Sequence, residues 1–216
     1  MIDGPSRIDA DLYAPGHPPF ILAGGTNFIS EKVVAYEIGY RIRPIEKVSL
    51  SLATFFNHYD DLRSVTTNGT AFVLANGLRG ETWGVELSAN YQPVDWWRLR
   101  GGYDYLHKYL WSTTGQDTGG GVREGNDPEH QFSLQSIMEL PAHFELDLTA
   151  RYVDTLPSPQ VPSYFSFDVR LAWRFKRLEL SLVGQNLWDD QHPEFGAMGT
   201  RQEIPRSIYG KATWRF

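Results

Sequence analysis

The segment from Ser163 to Phe175 changes chemical character at every step. Phe165, Phe167, Val169, Leu171, Trp173 and Phe175 stand on one side of it, and Ser166, Asp168, Arg170, Ala172 and Arg174 on the other. A period of two belongs to an extended strand, whose successive side chains point to opposite faces. The end of the chain repeats the pattern, with Ile208, Gly210, Ala212, Trp214 and Phe216 opposing Tyr209, Lys211, Thr213 and Arg215. Strands with one apolar and one strongly charged face admit few folds. The apolar face must be covered by something apolar, and the charged face must meet water or pair across neighbouring strands.

The same alternation recurs along most of the chain. It predicts strands over about 32–43, 47–60, 72–92, 96–109, 129–140, 143–153, 163–175, 178–185 and 206–216, with a disturbance in the third at Asn76 and Gly77. Pro44–Glu46, Pro93–Asp95, Pro141–His143 and Lys176–Arg177 read as tight turns. Long connections lie near 61–71, 110–128, 154–162 and 186–205. The second of these is rich in Gly, Asp and Thr, and the third holds three prolines. Residues 1–30 lack periodicity and read as an irregular segment or loop remnant, leaving 31–216 as the strand-bearing part.

A soluble sandwich also alternates, but three features point instead to a transmembrane β-barrel. The predicted strands are long, and about 9–11 tilted residues cross the hydrocarbon layer. Charges of both signs sit at mid-strand: Arg98, Arg100, Asp104, Glu145, Asp147, Arg151, Asp168, Arg170, Arg174, Glu179 and Arg215. Asp168 is expected to pair with a cation on the strand before or after its own. Trp and Tyr gather near strand ends, as in interfacial girdles, among them Tyr36, Trp83, Tyr91, Trp96, Trp97, Tyr109, Tyr152, Tyr164, Trp173, Trp188 and Trp214. The alternation of short and long connections puts short turns on the periplasmic side and long loops outside, so the last strand runs inward.

Composition agrees. Mean hydropathy is −0.38, and no apolar run approaches the ~18 residues of a spanning helix, which leaves a barrel open. A net charge of −6 without a basic tract excludes a nucleic-acid partner. The absence of cysteine excludes disulfides and thiolate sites. His58, His107, His130, His143 and His192 lack the close spacing of a built metal site, and no nucleophile elbow or phosphate loop is present. No catalytic, cofactor or metal residue is therefore assigned. Nine strands is an odd number, whereas single-chain bacterial barrels have even ones. The opening MIDGPSRIDADLYAPG is polar and does not read as an export signal. The chain is thus expected to be part of a longer protein.

Several stretches resemble the carboxyl-terminal portion of TonB-dependent outer-membrane receptors. They are GPSRIDADL, EKVVAYEIGYRIRP, ATFFNHYDDLRS, GVELSANYQPVDWWRLRGGYDYL, SYFSFDVRLAW, LSLVGQNLWDDQHPEF and the final KATWRF. The resemblance implies about nine strands of a barrel of about 22, in the cell outer membrane, bordered by lipid and lipopolysaccharide. It implies that Phe216 is read by the barrel-assembly machinery, and that a plug elsewhere in the parent protein contacts TonB. It further implies import of a scarce small-molecule cargo: a ferric siderophore, haem, cobalamin or similar. Asn57, Tyr59, Asp60, Asp61, Arg123, Glu124, Asp127 and the 189–203 loop are the candidate ligand-facing residues. A porin-like or adhesin barrel and a soluble all-β binding domain are the alternatives.

Overall fold

A computed structural model describes residues 10–17, 19–67, 69, 71–113 and 126–216. Among them are nine strands of eight or more residues: β1 (Lys32–Ile45), β2 (Val48–Thr67), β3 (Phe72–Val94), β4 (Trp97–Ser112), β5 (His130–Leu140), β6 (Phe144–Val153), β7 (Tyr164–Phe175), β8 (Leu178–Gln185) and β9 (Ser207–Trp214). Each is hydrogen-bonded to its neighbour in the chain, so the sheet order is the sequence order. From β4 to β9 every register is antiparallel, each strand reversing the direction of the one before. Two short strands, Tyr13–Ala14 and Leu22–Ala23, pair with each other, and the second runs parallel to Phe72–Val73 of β3.

The chain divides into two compact units. The first holds residues up to Glu37, Phe55–Trp83 and His107–Asn126. Its interior is small, with Leu74 and Leu78 buried. The segment before β1 is seated there by Asn76. This side chain accepts from the Ile29 amide (2.8 Å) and donates to the carbonyls of Ile29 (2.9 Å) and Asp61 (2.6 Å). Gly25 packs so closely that a Cβ would strike the Leu74 carbonyl.

Here the structure departs from the sequence expectation. β2 continues to Thr67 where a long connection was expected from residue 61, and β3 runs unbroken through Asn76 and Gly77. Asn and Gly read as turn formers, but Asn76 spends its amide on neighbouring backbone, and the Gly77 amide donates to Ser64 Oγ at 2.8 Å. Buried backbone donors satisfied in this way do not need a turn.

The second unit holds Ile38–Thr54, Gly84–Leu106 and Asp127–Phe216. Cross-strand registers build the two faces. On one, Met138, Leu146, Leu171, Leu182 and Gly210 fall in a row across β5 to β9. On the other, Asp147 stands opposite Arg170 and Glu179 opposite Arg174. The two-residue turn after β7 is possible because Lys176 takes a φ of 54°, the positive value that tight hairpins use. Two connections expected to be plain loops contain short hairpins, Leu156–Pro157 with Gln160–Val161 and Gln191–Pro193 with Glu203–Pro205. Prolines fit such edges because an edge strand needs no donor on its open side.

Burial is inverted relative to a water-soluble protein. Phe165, Leu171 and Phe175 of β7 are 38%, 41% and 49% exposed. The Arg170, Glu145 and Glu179 side chains on the charged face are only 24%, 14% and 14% exposed. Among the described residues no second sheet encloses the apolar side of β7, which a sandwich would demand.

Candidate functional site

Among the described residues the charged face of β6 to β9 carries a dense network of ion pairs. Alternation places Glu145, Asp147 and Arg151 of β6, Asp168, Arg170 and Arg174 of β7, and Glu179 of β8 on one side, with Arg215 just beyond β9. Arg170 is its centre. One terminal nitrogen donates to Glu145 and to Asp147 (2.8 Å), and the other to Glu179 (2.7 Å). Arg174 spans the same carboxylates, reaching Glu145 at 3.0 Å and Glu179 at 2.9 Å. Arg215 closes on Glu179 at 3.3 Å.

Asp168 accepts from Arg151 at 2.8 Å, the partner on the preceding strand that its position called for. Its other oxygen accepts from the backbone amide of Asn186 at 2.9 Å. The Asn186 side chain in turn donates to the Ile204 carbonyl at 3.1 Å. This chain of bonds anchors both ends of the long connection after β8 to the charged wall. The four arginines and four carboxylates balance in charge. Such a lattice fixes strand register and keeps a wet surface.

A second cluster lies in the first unit, on the parts of β2, β3 and β4 that belong to it. Here the structure separates residues that sequence reasoning grouped. Asn57 donates to Thr82 Oγ1 at 3.1 Å. Asp60 pairs instead with Arg79 at 2.8 Å and approaches His58 at 3.6 Å, while His58 also meets Glu81 at 3.3 Å. His58 and Asp60 follow Phe56 at intervals of two and so continue the apolar side of β2, whereas Asn57 and Tyr59 lie on the other. Asp61 pairs with Lys32 at 2.7 Å and has a φ of 60°. His58 faces Trp111, and Trp83 faces His107 at 5.2 Å between ring centres. This band of rings among ionic groups has the composition of a membrane interface.

The remaining candidates scatter. Asp127 is half-buried just before β5, and Arg123 and Glu124 lie outside the described residues. His130 packs against Tyr103 and Tyr105, with the Tyr103 hydroxyl 2.9 Å from its Nδ1. His143 sits in the turn before β6. His192 is buried and stacked on Tyr164, with ring centres 4.1 Å apart and an interplanar angle of 14°. In the 189–203 loop, Asp190 pairs with Arg206 at 3.0 Å, and Phe195 and Met198 are exposed. Sequence reasoning missed Arg79 and Glu81. Their signal was present, since charged residues interrupt the apolar side of β3 just before Trp83.

A large antiparallel sheet with an open apolar face and a charge-paired opposite face is the construction of a β-barrel wall. The chain belongs to the family of TonB dependent receptor-like β-barrels, whose profile matches residues 7–187. It corresponds to the carboxyl-terminal portion of that barrel, its place is the outer membrane, and the family is one of receptors.

Among curated relatives, the pesticin receptor of Yersinia pestis is 23% identical over 203 residues, covering 85% of this chain and 28% of the relative. The chain therefore spans a little over a quarter of the relative's length. Among solved structures, the FrpB iron transporter from Neisseria meningitidis aligns with a TM-score of 0.74 at 16% identity, covering 91% of this chain and 33% of that one. The ferric yersiniabactin uptake receptor FyuA from Yersinia pestis aligns with a TM-score of 0.66 at 20% identity, covering 86% and 30%. At these identities the structural likeness is one of fold.

Proposed function

We propose that this chain forms part of the membrane-spanning wall of an outer-membrane receptor that imports a scarce, iron-related ligand. The observation that carries the reading is the inverted burial of β7, with Phe165, Leu171 and Phe175 open and Arg170 sheltered. Hydrocarbon is the covering that an open apolar face of this length demands, and a soluble all-β domain would leave it in water. The strands then belong to a larger barrel of about 22 strands. The short turns face the periplasm, and the long connections face outward toward lipopolysaccharide. An iron chelate as cargo is supported by the names of the relatives, a ferric yersiniabactin uptake receptor and an iron transporter. Cargo would meet the outward connections, including the 189–203 loop. Energy coupling through TonB and a plug would belong to the complete receptor.

The native chain has no cysteine, which makes the wall reading directly testable. Single cysteines at positions 165–175 of the protein in outer membranes should alternate in reaction with a membrane-impermeant maleimide. Even positions should label and odd positions should stay protected. Uniform labelling would refute a lipid-covered face. For the transport reading, deletion of the gene should slow growth under iron limitation on at least one ferric chelate, and complementation should restore it. Growth unchanged across a panel of chelates would argue against iron-related import.

A further inference from the structure

On the apolar side of the second unit, β6 to β9 form a dent of about 510 Å³. Leu171, Trp173, Leu180 and Leu182 line it, and Gly210 and Ala212 of β9 open it by carrying little or no side chain. A Cβ at Gly210 would meet only the Ser181 carbonyl oxygen, at 3.9 Å, so a side chain there would enter the dent without striking backbone. Toward the short turn, the same side carries Phe175, stacked on Trp173 with ring centres 5.6 Å apart, and the exposed Trp214. The turn itself is Lys176–Arg177, and both residues are exposed. Lys176 Nζ lies 5.3 Å from the centre of the Phe175 ring. Neither cation has an ion-pair partner among the described residues. Their neighbours Arg174 and Arg215 both face Glu179 on the charged side. Of the four short turns, this is the one with two permanent cations and no carboxylate. Residues 44–46 include Glu46, 93–95 include Asp95, and 141–143 hold neither Lys nor Arg.

We infer that this place holds one anionic phospholipid, with an acyl chain in the dent and the phosphate at Lys176 and Arg177. The inference rests on the reading of the apolar face as covered by lipid, and adds a particular lipid at a particular position. Leu182 is five residues beyond Arg177, which is about 17 Å along a strand. At a strand tilt of about 45° this becomes about 12 Å of depth, within half of the hydrocarbon layer of about 30 Å. A phospholipid of the leaflet at the short turns therefore brings its phosphate to the turn when a chain lies in the dent. Two unpaired cations beside aromatic rings have the composition that recruits anionic headgroups. A headgroup of net negative charge suits them better than a zwitterionic one, whose ammonium they would repel. The dent supplies the second contact, because an acyl chain meets more apolar surface in a concavity than against a flat row of side chains.

The test uses the protein extracted from outer membranes in mild detergent. It is equilibrated with equimolar phosphatidylglycerol and phosphatidylcholine of the same acyl chains, and retained lipid is counted by native mass spectrometry. One phosphatidylglycerol should be retained in preference to phosphatidylcholine. K176N/R177Q should lower that retention by about tenfold or more. Asparagine suits position 176 because it tolerates the positive φ found there. G210L fills the dent, leaves both cations in place, and should also lower retention severalfold. Heat-modifiable migration on a gel reports whether each variant is folded, and R177Q and A212L make the same two comparisons if a variant does not fold. The proposal is overturned if both lipids are retained equally, or if removing the cations or filling the dent leaves retention unchanged. It is also overturned if millimolar inorganic phosphate displaces the lipid completely, which would mean a simple anion site. Equal retention of both lipids together with alternating cysteine labelling over 165–175 would sink this inference and leave the lipid-covered face standing.

Discussion

Arg170 shows how one side chain sets the electrostatics of a wall. Three carboxylates, Glu145, Asp147 and Glu179, converge on its guanidinium and would repel one another without it. They are mostly sheltered, so water screens them incompletely. Removing the cation leaves like charges facing each other at low exposure, a costlier change than deleting a solvent-exposed pair. Arg170→Met should therefore lower stability by about 2–3 kcal/mol. Asp168→Ala loses one ion pair and one backbone acceptor and should cost less, on the order of 1–2 kcal/mol. Both are measured as the urea midpoint of the folded band on a heat-modifiability gel. An Arg170→Met midpoint equal to wild type would show that Arg174, through Glu145 and Glu179, suffices to hold the wall together.

At the scale of the strand, the decisive property is which side a residue occupies. Leu182 and Ser181 are adjacent in β8 but belong to opposite faces; Leu182 lies between Leu171 and Gly210 in the apolar row. Leu182→Arg should destabilise the folded protein by roughly 2–4 kcal/mol, the cost of a cation on a lipid-facing strand, whereas Ser181→Arg should be nearly neutral. Equal effects in urea titrations would contradict a two-environment sheet. This sidedness was readable in advance because the period of two is local and each turn is marked by its own residues. β8 was found at its expected bounds for that reason. The extension of β2 and the unbroken β3 were not readable, because Asn76 finds its partner Ile29 at a distance of 47 residues. A turn-forming residue used as a backbone clamp looks like any other Asn in sequence. The Asp168–Arg151 pair lay between these cases. Its side and its neighbouring strand were legible, while the second bond to Asn186 depends on how the long connection leaves β8.

For the whole molecule, the relevant balance is between a small dry interior and a large open apolar face. Leu78 and Val161 are the largest side chains that are almost completely buried among the described residues. Against them stand apolar side chains such as Ile38, 74% exposed, repeated along successive strands. A core this small contributes little hydrophobic stabilisation, at about 25 cal/mol per Å² of buried apolar surface. With hydrocarbon on the apolar face, as proposed above, the remaining stabilisation comes from that medium, and fold and membrane form one thermodynamic system. A net charge of −6 does not alter this, since charge on one face leaves the other uncovered. High salt and alkaline carbonate strip proteins held by surface charge, because they screen or titrate the contacts. The protein should resist both washes, stay in the membrane pellet, and be released by detergent. Release by carbonate alone would place the apolar face against another protein surface and not against lipid. Removing detergent after release should cause aggregation, as expected when long apolar strand faces have only water to meet.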